Sequence, residues 1–358
     1  MNEADLSQTT CTHMNHGIRI HLDWDYHQLA HDADQTIRAL TEEAHPRAAT
    51  LYTHLLADPQ TLALWDMTAY MTVEKLGYND HSQMHAQIVA ANTLQLLHLL
   101  LEADAVPDVV ASGAGTVEDA TLIVLISALL HDIGNQVARE NHELYSVMLA
   151  QPILARLLPL LYNDPVQQQI ITGFILSAIA SHDCSSKPST LEAAIVAVAD
   201  AIDVTKGRGQ VAFDQGKADI HAVSAMAIEQ VVIKSGKAHP VQIEVVMSNP
   251  AGLFQVEKLL GRKLILTGLE RYIDLRACVS PIDGAVDEAL QHLVLQGGRF
   301  VPEVRPPIAT VHSLVDPVCG MVLSPNHTAG TLVYQGKHYH FCSNDCMARF
   351  QLNLTIYA

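Results

Sequence analysis

The segment Leu129-Leu130-His131-Asp132-Ile133-Gly134-Asn135 decides the fold, because a histidine and an aspartate follow directly on the most apolar run in the chain. That run, Ala120 to Leu130, is hydrophobic on every side and predicts a buried helix. An ionised carboxylate at the end of such a helix is costly unless a cation or a hydrogen-bond network compensates it. A bound metal ion would do so. A helix-capping aspartate beside a buried structural histidine is the alternative, and the pair alone does not decide between them.

Other histidines and one aspartate fall at the ends or on the faces of predicted helices. They are His85, His142, His182 and Asp200. Imidazoles and carboxylates that converge from separate helices form the metal centres of helical proteins. A mixed set of nitrogen and oxygen donors suits iron, manganese, cobalt, nickel or zinc, and spacing alone does not choose among these metals. Ser189 and Glu192 predict a capping box at the start of the helix that carries Asp200.

Composition limits the class of protein. The chain has 358 residues, of which 49% are hydrophobic, so it can bury a large core and hold two domains. The net charge of −17 argues against binding to nucleic acid by general phosphate neutralisation. The first 24 residues lack the basic and apolar regions of a signal peptide, and the longest apolar run is too short to span a bilayer. We therefore expect a cytoplasmic protein with no membrane partner.

The order of these residues resembles the HD superfamily of metal-dependent phosphohydrolases over about residues 76 to 235. The matches are His85, the pair His131-Asp132 within Leu-His-Asp-Ile-Gly, and Asp200 within Val-Ala-Asp. His142 and His182 match the two extra histidines of members that hold two metal ions. His81 competes with His85 for the role of first ligand. The segment after His182 lacks the Gly-Tyr-Pro sequence of the branch that cleaves cyclic-di-GMP, which argues against a cyclic dinucleotide substrate.

The resemblance implies a mechanism in which metal ions activate a water molecule and neutralise phosphoryl oxygens during in-line attack. Two divalent ions are implied, drawn from Mn, Fe, Ni, Co, Mg or Zn, with Asp132 bridging them. Asp183 or Asp203 would orient the water or accept a proton. The cations that could hold phosphate oxygens are Lys187, Lys206 and Arg208, although all three are equally typical of solvated loops.

The sequence changes character after the predicted helices. Pro240 to Met247 alternates like a strand, Leu253 to Leu260 predicts a short helix, and Arg271 to Val279 predicts a second strand. Residues 281–311 contain Gly297-Gly298 and several prolines, and they predict a linker.

Three cysteines lie close together near the C-terminus, at Cys319, Cys342 and Cys346. In a cytoplasmic chain such cysteines are more often metal ligands than disulfides. The possible fourth ligands are Met321, His338 and His340. Residues 312 to 355 resemble the YHS domain, named for Tyr339-His340 and Ser343, and this resemblance implies a site for a thiophilic ion such as copper or zinc.

The sequence therefore predicts a mainly α-helical protein built on an HD-type helical bundle. The predicted parts are an N-terminal helical layer (1–75), the HD domain (76–239), a small α/β element (240–280), the linker (281–311) and the YHS domain (312–358). The expected activity is hydrolysis of a nucleotide or another small phosphorylated substrate, and a homo-oligomer is compatible with the sequence. Two alternatives stay open: a di-iron oxygenase on an HD-type fold, and a metal sensor or chaperone without enzymatic activity.

Overall fold

The computed structural model describes residues 10–15, 18–208, 220–280, 291–303, 314–323, 328–335, 337–352 and 354. The chain divides into two compact units, Met1–Pro302 and Glu303–Ala358. Within the described ranges, no helix combines the length and the apolar character needed to cross a bilayer. The mainly helical fold class is confirmed.

The N-terminal layer contains the predicted helices but begins with an antiparallel hairpin. Its elements are β1 (Thr10–Asn15), β2 (Ile18–Asp23), α1 (Trp24–Thr41), α2 (Pro46–Ala57) and α3 (Pro59–Ala69), which continues as a π-helical turn (Tyr70–Lys75). The hairpin was not predicted, although its β-branched Thr10, Thr12, Ile18 and Ile20 favour strands. Trp65 on α3 donates from Nε1 to the carbonyl oxygen of Leu129 at 3.0 Å and so fastens this layer to the end of the apolar run.

The helical bundle follows. Its helices are α4 (Gln83–Glu102), α5 (Asp108–Ala111), α6 (Val117–Leu130), α7 (His142–Leu157), α8 (Pro165–Ser181) and α9 (Leu191–Ile202). The predicted buried helix is α6, in which every residue from Asp119 to Leu130 is buried, with α4, α8 and α9 packed against it. The predicted capping box at α9 is wrong, because Thr190 is the N-cap and accepts a hydrogen bond from the amide of Ala193. Glu192 instead reaches away from its own helix and accepts from the amides of Asp108 and Val109.

The α/β element is larger than the sequence predicts. Its elements are α10 (Ile220–Ala225), β3 (Ile228–Ser235), β4 (Val241–Met247), α11 (Gly252–Val256), a π-helical turn (Glu257–Gly261), α12 (Arg262–Thr267), β5 (Ile273–Val279), β6 (His292–Gln296) and β7 (Arg299–Pro302). The strands form one sheet in the order β3-β4-β5-β6-β7, in which only β4 and β5 run parallel.

Part of the predicted linker is therefore wrong. Residues 292–302 form β6 and β7, and they pair in register with Gly297 and Gly298 between them at φ 55° and 82°. Two successive residues with positive φ match the turn that best fits the twist of a hairpin, and glycine adopts this conformation without strain. The other residues assigned to the linker, 281–290 and 304–311, lie outside the described residues.

The second unit is a small domain of short strands and one helix. Its elements are β8 (Leu314–Val315), β9 (Val322–Leu323), β10 (Gly330–Tyr334), β11 (Lys337–Phe341) and α13 (Asn344–Leu352). Phe341 and Phe350 are fully buried and form its small core, with ring centroids 5.1 Å apart.

Candidate metal centres

The residues of the His-Asp motif occupy the end of α6 and the turn that follows. His131 is the C-cap of α6, and Asp132 precedes a 3₁₀ turn formed by Ile133–Gln136. Gly134 is required here because a Cβ would overlap with the backbone of His142 and Ser146 at the start of α7. The Gly134 amide also donates to Ser146 Oγ at 2.8 Å. The motif glycine thus allows α7 to approach closely enough to bring His142 beside Asp132.

Two groups of ligand atoms converge in the helical bundle, and in each group the atoms lie within 4.8 Å of one another. The first ligand group is His85, His131, Asp132 and Asp200. The second ligand group is Asp132, His142 and His182. Asp132 belongs to both, and in the first group His85 rather than His81 supplies the imidazole from α4.

The two oxygens of Asp132 face different groups. Oδ2 lies 3.3 Å from His85 Nε2 and 3.2 Å from His131 Nε2. Oδ1 lies 3.2 Å from His142 Nε2 and 3.6 Å from His182 Nε2. Burial by itself raises the pKa of the Asp132 carboxyl, but the neighbouring imidazoles, His131 first, hold that pKa well below its usual range. Asp132 is therefore an anion that both groups share.

Hydrogen bonds from Nδ1 fix the imidazoles of both groups. His131 donates to Ala128 O and His182 donates to Ile179 O, each at 2.7 Å. These acceptors are carbonyls that the ends of α6 and α8 leave without helical partners. His85 Nδ1 lies 2.7 Å from Asp203 Oδ2. A proton on Nδ1 leaves the lone pair on Nε2, which is the arrangement that metal-binding histidines adopt.

The Nε2 atoms then point at one another. His85 and His131 approach to 3.2 Å between their Nε2 atoms, and His142 and His182 approach to 3.1 Å. Two lone pairs at this distance repel unless a proton or a metal cation lies between them. An ion about 2.0–2.1 Å from each nitrogen, with bond angles between octahedral and tetrahedral, would place the nitrogens about 2.8–3.4 Å apart. The donor sets therefore fit metal ions.

The local electrostatics favour positive charge at the first ligand group. Burial lowers the pKa of His85, but hydrogen bonds with Asp132, Asp200 and Asp203 outweigh it and raise that pKa to about 10. The pKa of His131 is also raised: burial lowers it, but Asp132 outweighs burial. These carboxylates stabilise a cation, and a divalent ion satisfies the same preference.

Asp203 lies behind His85 instead of among the ligand atoms. Its Oδ2 accepts from the Tyr26 hydroxyl at 2.6 Å as well as from His85. Arg208 lies beside it, donating from Nη1 to Asp203 O and from Nε to Asp80 O, both at 2.9 Å. The third guanidinium nitrogen, Nη2, lies 3.1 Å from His85 Nε2, so Arg208 reaches the first ligand group.

The remaining predicted residues lie at the edge of the bundle. Asp183 is half-buried and outside both ligand groups, and its Oδ1 accepts from the Ser185 amide at 2.8 Å. Lys187 is exposed, and Lys206 pairs with Glu229 at 2.5 Å. His81 is buried, donates from Nδ1 to Asn79 O at 2.6 Å, and has Nε2 3.9 Å from Asp132 Oδ2. The roles of these residues stay predictions.

Sequence reasoning missed one cation at the bundle centre, Lys263 on α12. Its Nζ donates to Asp200 Oδ2 at 2.6 Å and to the carbonyl oxygen of His182 at 2.8 Å. A single lysine within a short amphipathic segment carries no sequence signal for burial. Only the packing of α12 against α9 reveals it.

In the second unit, Asp316 joins the three cysteines in a thiol group whose ligand atoms lie within 4.8 Å of one another. Cys342 Sγ lies 3.5 Å from Cys319 Sγ and 3.7 Å from Cys346 Sγ. Asp316 is buried and accepts from the amides of Val318 and Cys342 at 2.8 Å, so it also shapes the two cysteine-bearing loops. Of the predicted fourth ligands, His338 and His340 lie outside this group.

Comparisons with known proteins agree with these two regions. The family model of the HD domain matches residues 84–205, and the YHS domain model matches residues 314–358. The chain is 40% identical to the uncharacterized protein MJ1020 of Methanocaldococcus jannaschii over 229 residues, covering 64% of this chain and 88% of that relative. A search of solved structures found no match. The chain therefore belongs to the HD domain family of metal-dependent hydrolases and carries a YHS domain at its C-terminal end.

Proposed function

We propose that this protein is a phosphohydrolase that holds two divalent metal ions, one in each ligand group, and cleaves a nucleotide or a related small phosphorylated molecule. The observation that carries the proposal is Asp132, which turns one carboxylate oxygen toward each group. When bound, paired ions supply an activated water molecule and neutralise charge on the phosphoryl oxygens. The nitrogen and oxygen donors suit Mn, Fe, Co, Ni or Zn, and Mg is compatible with the carboxylates.

The chain's own residues hold this arrangement in place. Asp203 and Tyr26 keep the proton of His85 on Nδ1 and its lone pair directed into the first ligand group. Arg208 brings a guanidinium to the same group, and guanidinium groups bind phosphate oxygens through paired hydrogen bonds. Asp183 follows His182 directly and is half-buried, so it is a carboxylate that could accept a proton near the second ligand group.

The test is phosphate release by protein loaded with Mn²⁺, measured on a panel of nucleoside phosphates, sugar phosphates and p-nitrophenyl phosphate. We expect turnover of at least one substrate class, and we expect Asp132→Ala to abolish it. Asp104→Asn is the matched control, because Asp104 is exposed, belongs to neither ligand group, and sits at φ 59°, which asparagine tolerates. Full activity in Asp132→Ala would refute the proposal, as would oxygen consumption by an iron-loaded protein that releases no phosphate.

For the thiol group we propose a bound thiophilic ion, copper or zinc. The sulfur separations of 3.5 Å and 3.7 Å lie near the edge of about 3.8 Å expected for a tetrahedron with zinc–sulfur bonds of about 2.3 Å. A domain this small gains stability from such an ion. The role of the fourth ligand falls to Asp316, the only other member of the group among the described residues.

The double variant Cys342→Ser with Cys346→Ser should lose about one thiophilic ion per chain by elemental analysis, because a tetrahedral thiolate site does not survive the loss of two sulfurs. Phosphate release should not change. Cys278→Ser, on β5 of the first unit, is the control for cysteine loss outside the group. An unchanged copper and zinc content in the double variant would contradict the assignment.

A further inference from the structure

Lys263 is a buried cation supplied to the metal centre from outside the HD domain match at residues 84–205. The residue is 9% exposed. It belongs to α12, which follows the π-helical turn Glu257–Gly261. A π-helical turn adds a residue to the helical repeat and is frequent at functional sites.

The two contacts of Lys263 join both ligand groups. Its Nζ lies 2.6 Å from Asp200 Oδ2, in the first group, and 2.8 Å from the backbone carbonyl of His182, whose imidazole belongs to the second. That carbonyl lies at the C-terminal end of α8, where the helix dipole attracts positive charge. One ammonium therefore ties α9 to the end of α8 at the metal centre.

The two carboxylate oxygens of Asp200 have different neighbours. Oδ1 faces the imidazoles, 3.3 Å from His85 Nε2 and 3.7 Å from His131 Nε2. Oδ2 is engaged by Lys263 on the other side. A carboxylate with both oxygens free can chelate an ion in bidentate fashion, whereas one with an oxygen held by an ammonium presents a single donor.

The charges of the two residues also favour a fixed contact between Lys263 and Asp200 Oδ2. The ammonium of Lys263 and the carboxylate of Asp200 are 2.6 Å apart, and both side chains are largely buried, so each charge compensates the other. A buried ion pair becomes strongly destabilising when one partner is removed, because the other charge is left without compensation. Removing the ammonium therefore leaves Asp200 Oδ2 without its partner, so that this oxygen could bind an ion held in the first ligand group.

We propose that Lys263 is a positioning residue: it holds Asp200 Oδ2 so that the carboxylate offers only Oδ1 to the metal ion in the first ligand group. Through this lysine the α/β element sets the coordination number of an ion bound by the helical bundle. The inference rests on the proposed function only in requiring a divalent ion at that group.

The test replaces the bound ions with Co²⁺, whose visible absorption weakens as coordination number increases. All proteins compared, including the wild-type reference at Lys263, carry Cys342→Ser and Cys346→Ser, because Co²⁺ bound by thiolates would absorb strongly in the same region. Lys263→Met should show a loss of absorption intensity relative to wild type at equal Co²⁺ content, because the freed Oδ2 becomes a second donor. Lys263→Arg, which keeps a charged donor, should restore the wild-type spectrum. Lys258→Met, an exposed lysine in the same helical segment, should leave the spectrum unchanged. Should Lys263→Met fail to fold, Lys263→Leu also removes both the charge and the hydrogen-bond donor and gives the same comparison.

A wild-type spectrum in both neutral variants at full Co²⁺ occupancy would overturn the inference, as would a loss of intensity in Lys263→Arg equal to that in Lys263→Met. The spectra need no substrate, so the inference and the proposed function fail separately. Altered spectra in a protein that releases no phosphate would support the inference and refute the phosphohydrolase. A wild-type protein that binds no Co²⁺ would overturn both.

Discussion

Replacing Asp132 with asparagine tests whether one carboxylate serves two metal ions. Asparagine keeps the shape of the side chain but removes the negative charge that faces four imidazoles across the two ligand groups. Loss of a residue that only supports a metal ligand weakens metal binding by about 10–100-fold. Asp132 lies among the ligand atoms themselves, so we expect about 100-fold weaker binding at each ion, or about 2.8 kcal/mol per ion at 1.4 kcal/mol for each factor of ten.

The expected effect on stability follows from ligand binding to the folded state. At free Mn²⁺ about 100 times the dissociation constant, each bound ion adds about 2.7 kcal/mol to the free energy of unfolding. Two ions add about 5.4 kcal/mol on the same basis. A 100-fold weaker site gains only about 0.4 kcal/mol at that Mn²⁺ concentration, so Asp132→Asn should keep less than about 1 kcal/mol of the Mn²⁺-induced gain.

The assay is chemical denaturation with and without Mn²⁺, combined with calorimetric titration of Mn²⁺. Asp104→Asn should retain the full gain. His131→Gln and His142→Gln, which each alter one ligand group, should each retain about 2.7 kcal/mol. If Asp132→Asn lost only one ion's contribution to the free energy of unfolding, Asp132 would not be shared by the two ligand groups. If the Mn²⁺-induced gain in stability did not change, Asp132 would not be a ligand.

Two further predictions concern the scaffold. Asp58 caps α3 and pairs through both oxygens with Arg156, and the hydrogen bond from Arg156 lowers the pKa of Asp58 to about 2. We expect Asp58→Ala to lower the free energy of unfolding by about 1–2 kcal/mol, because the helix loses its cap. Because folding lowers the pKa of Asp58, the difference in free energy of unfolding between wild type and Asp58→Ala should be largest above about pH 4 and should be lost as the pH falls through about 2. Denaturation curves measured across this pH range test the prediction, and a difference that does not change with pH would contradict the ion pair. Gly134→Ala should destabilise by about 3 kcal/mol or more, because a Cβ there collides with the backbone of α7. Gly173→Ala is the control, because this residue lies on α8 with open space around the added carbon, and it should be neutral or stabilise by up to about 1 kcal/mol. Equal effects of the two substitutions on the denaturation midpoint would contradict the close contact between Gly134 and α7.

The parts of the site that the sequence predicted are those with a local signal. The all-apolar run predicted α6, and two of the predicted ligands, His131 and His182, occur at helix ends, where the imidazole donates to a carbonyl that has lost its helical partner. The order of these residues along the chain carried the family resemblance. The pairing of their Nε2 atoms and the division of the Asp132 oxygens depend on helix packing, which periodicity does not specify.

The parts that escaped prediction depend on distant contacts. Tyr26 reaches Asp203 across 177 residues of sequence, and Lys263 reaches Asp200 across 63. No motif in the sequence around Tyr26 or Lys263 indicates that either residue lies near the metal ligands. The spacing of Glu192 predicts a local cap, yet this residue is fully buried and its oxygens accept from backbone amides near the start of α5. The Gly297-Gly298 pair predicts a linker and a tight hairpin equally well, because glycine is typical of both.

The central claim is that two ions lie on opposite sides of Asp132. The most direct measurement is anomalous diffraction from crystals soaked with Mn²⁺. We expect two peaks in the helical bundle, one bonded to His85 and His131 and the other to His142 and His182, with Asp132 contacting both. A single peak, or ions bound away from Asp132, would contradict the account.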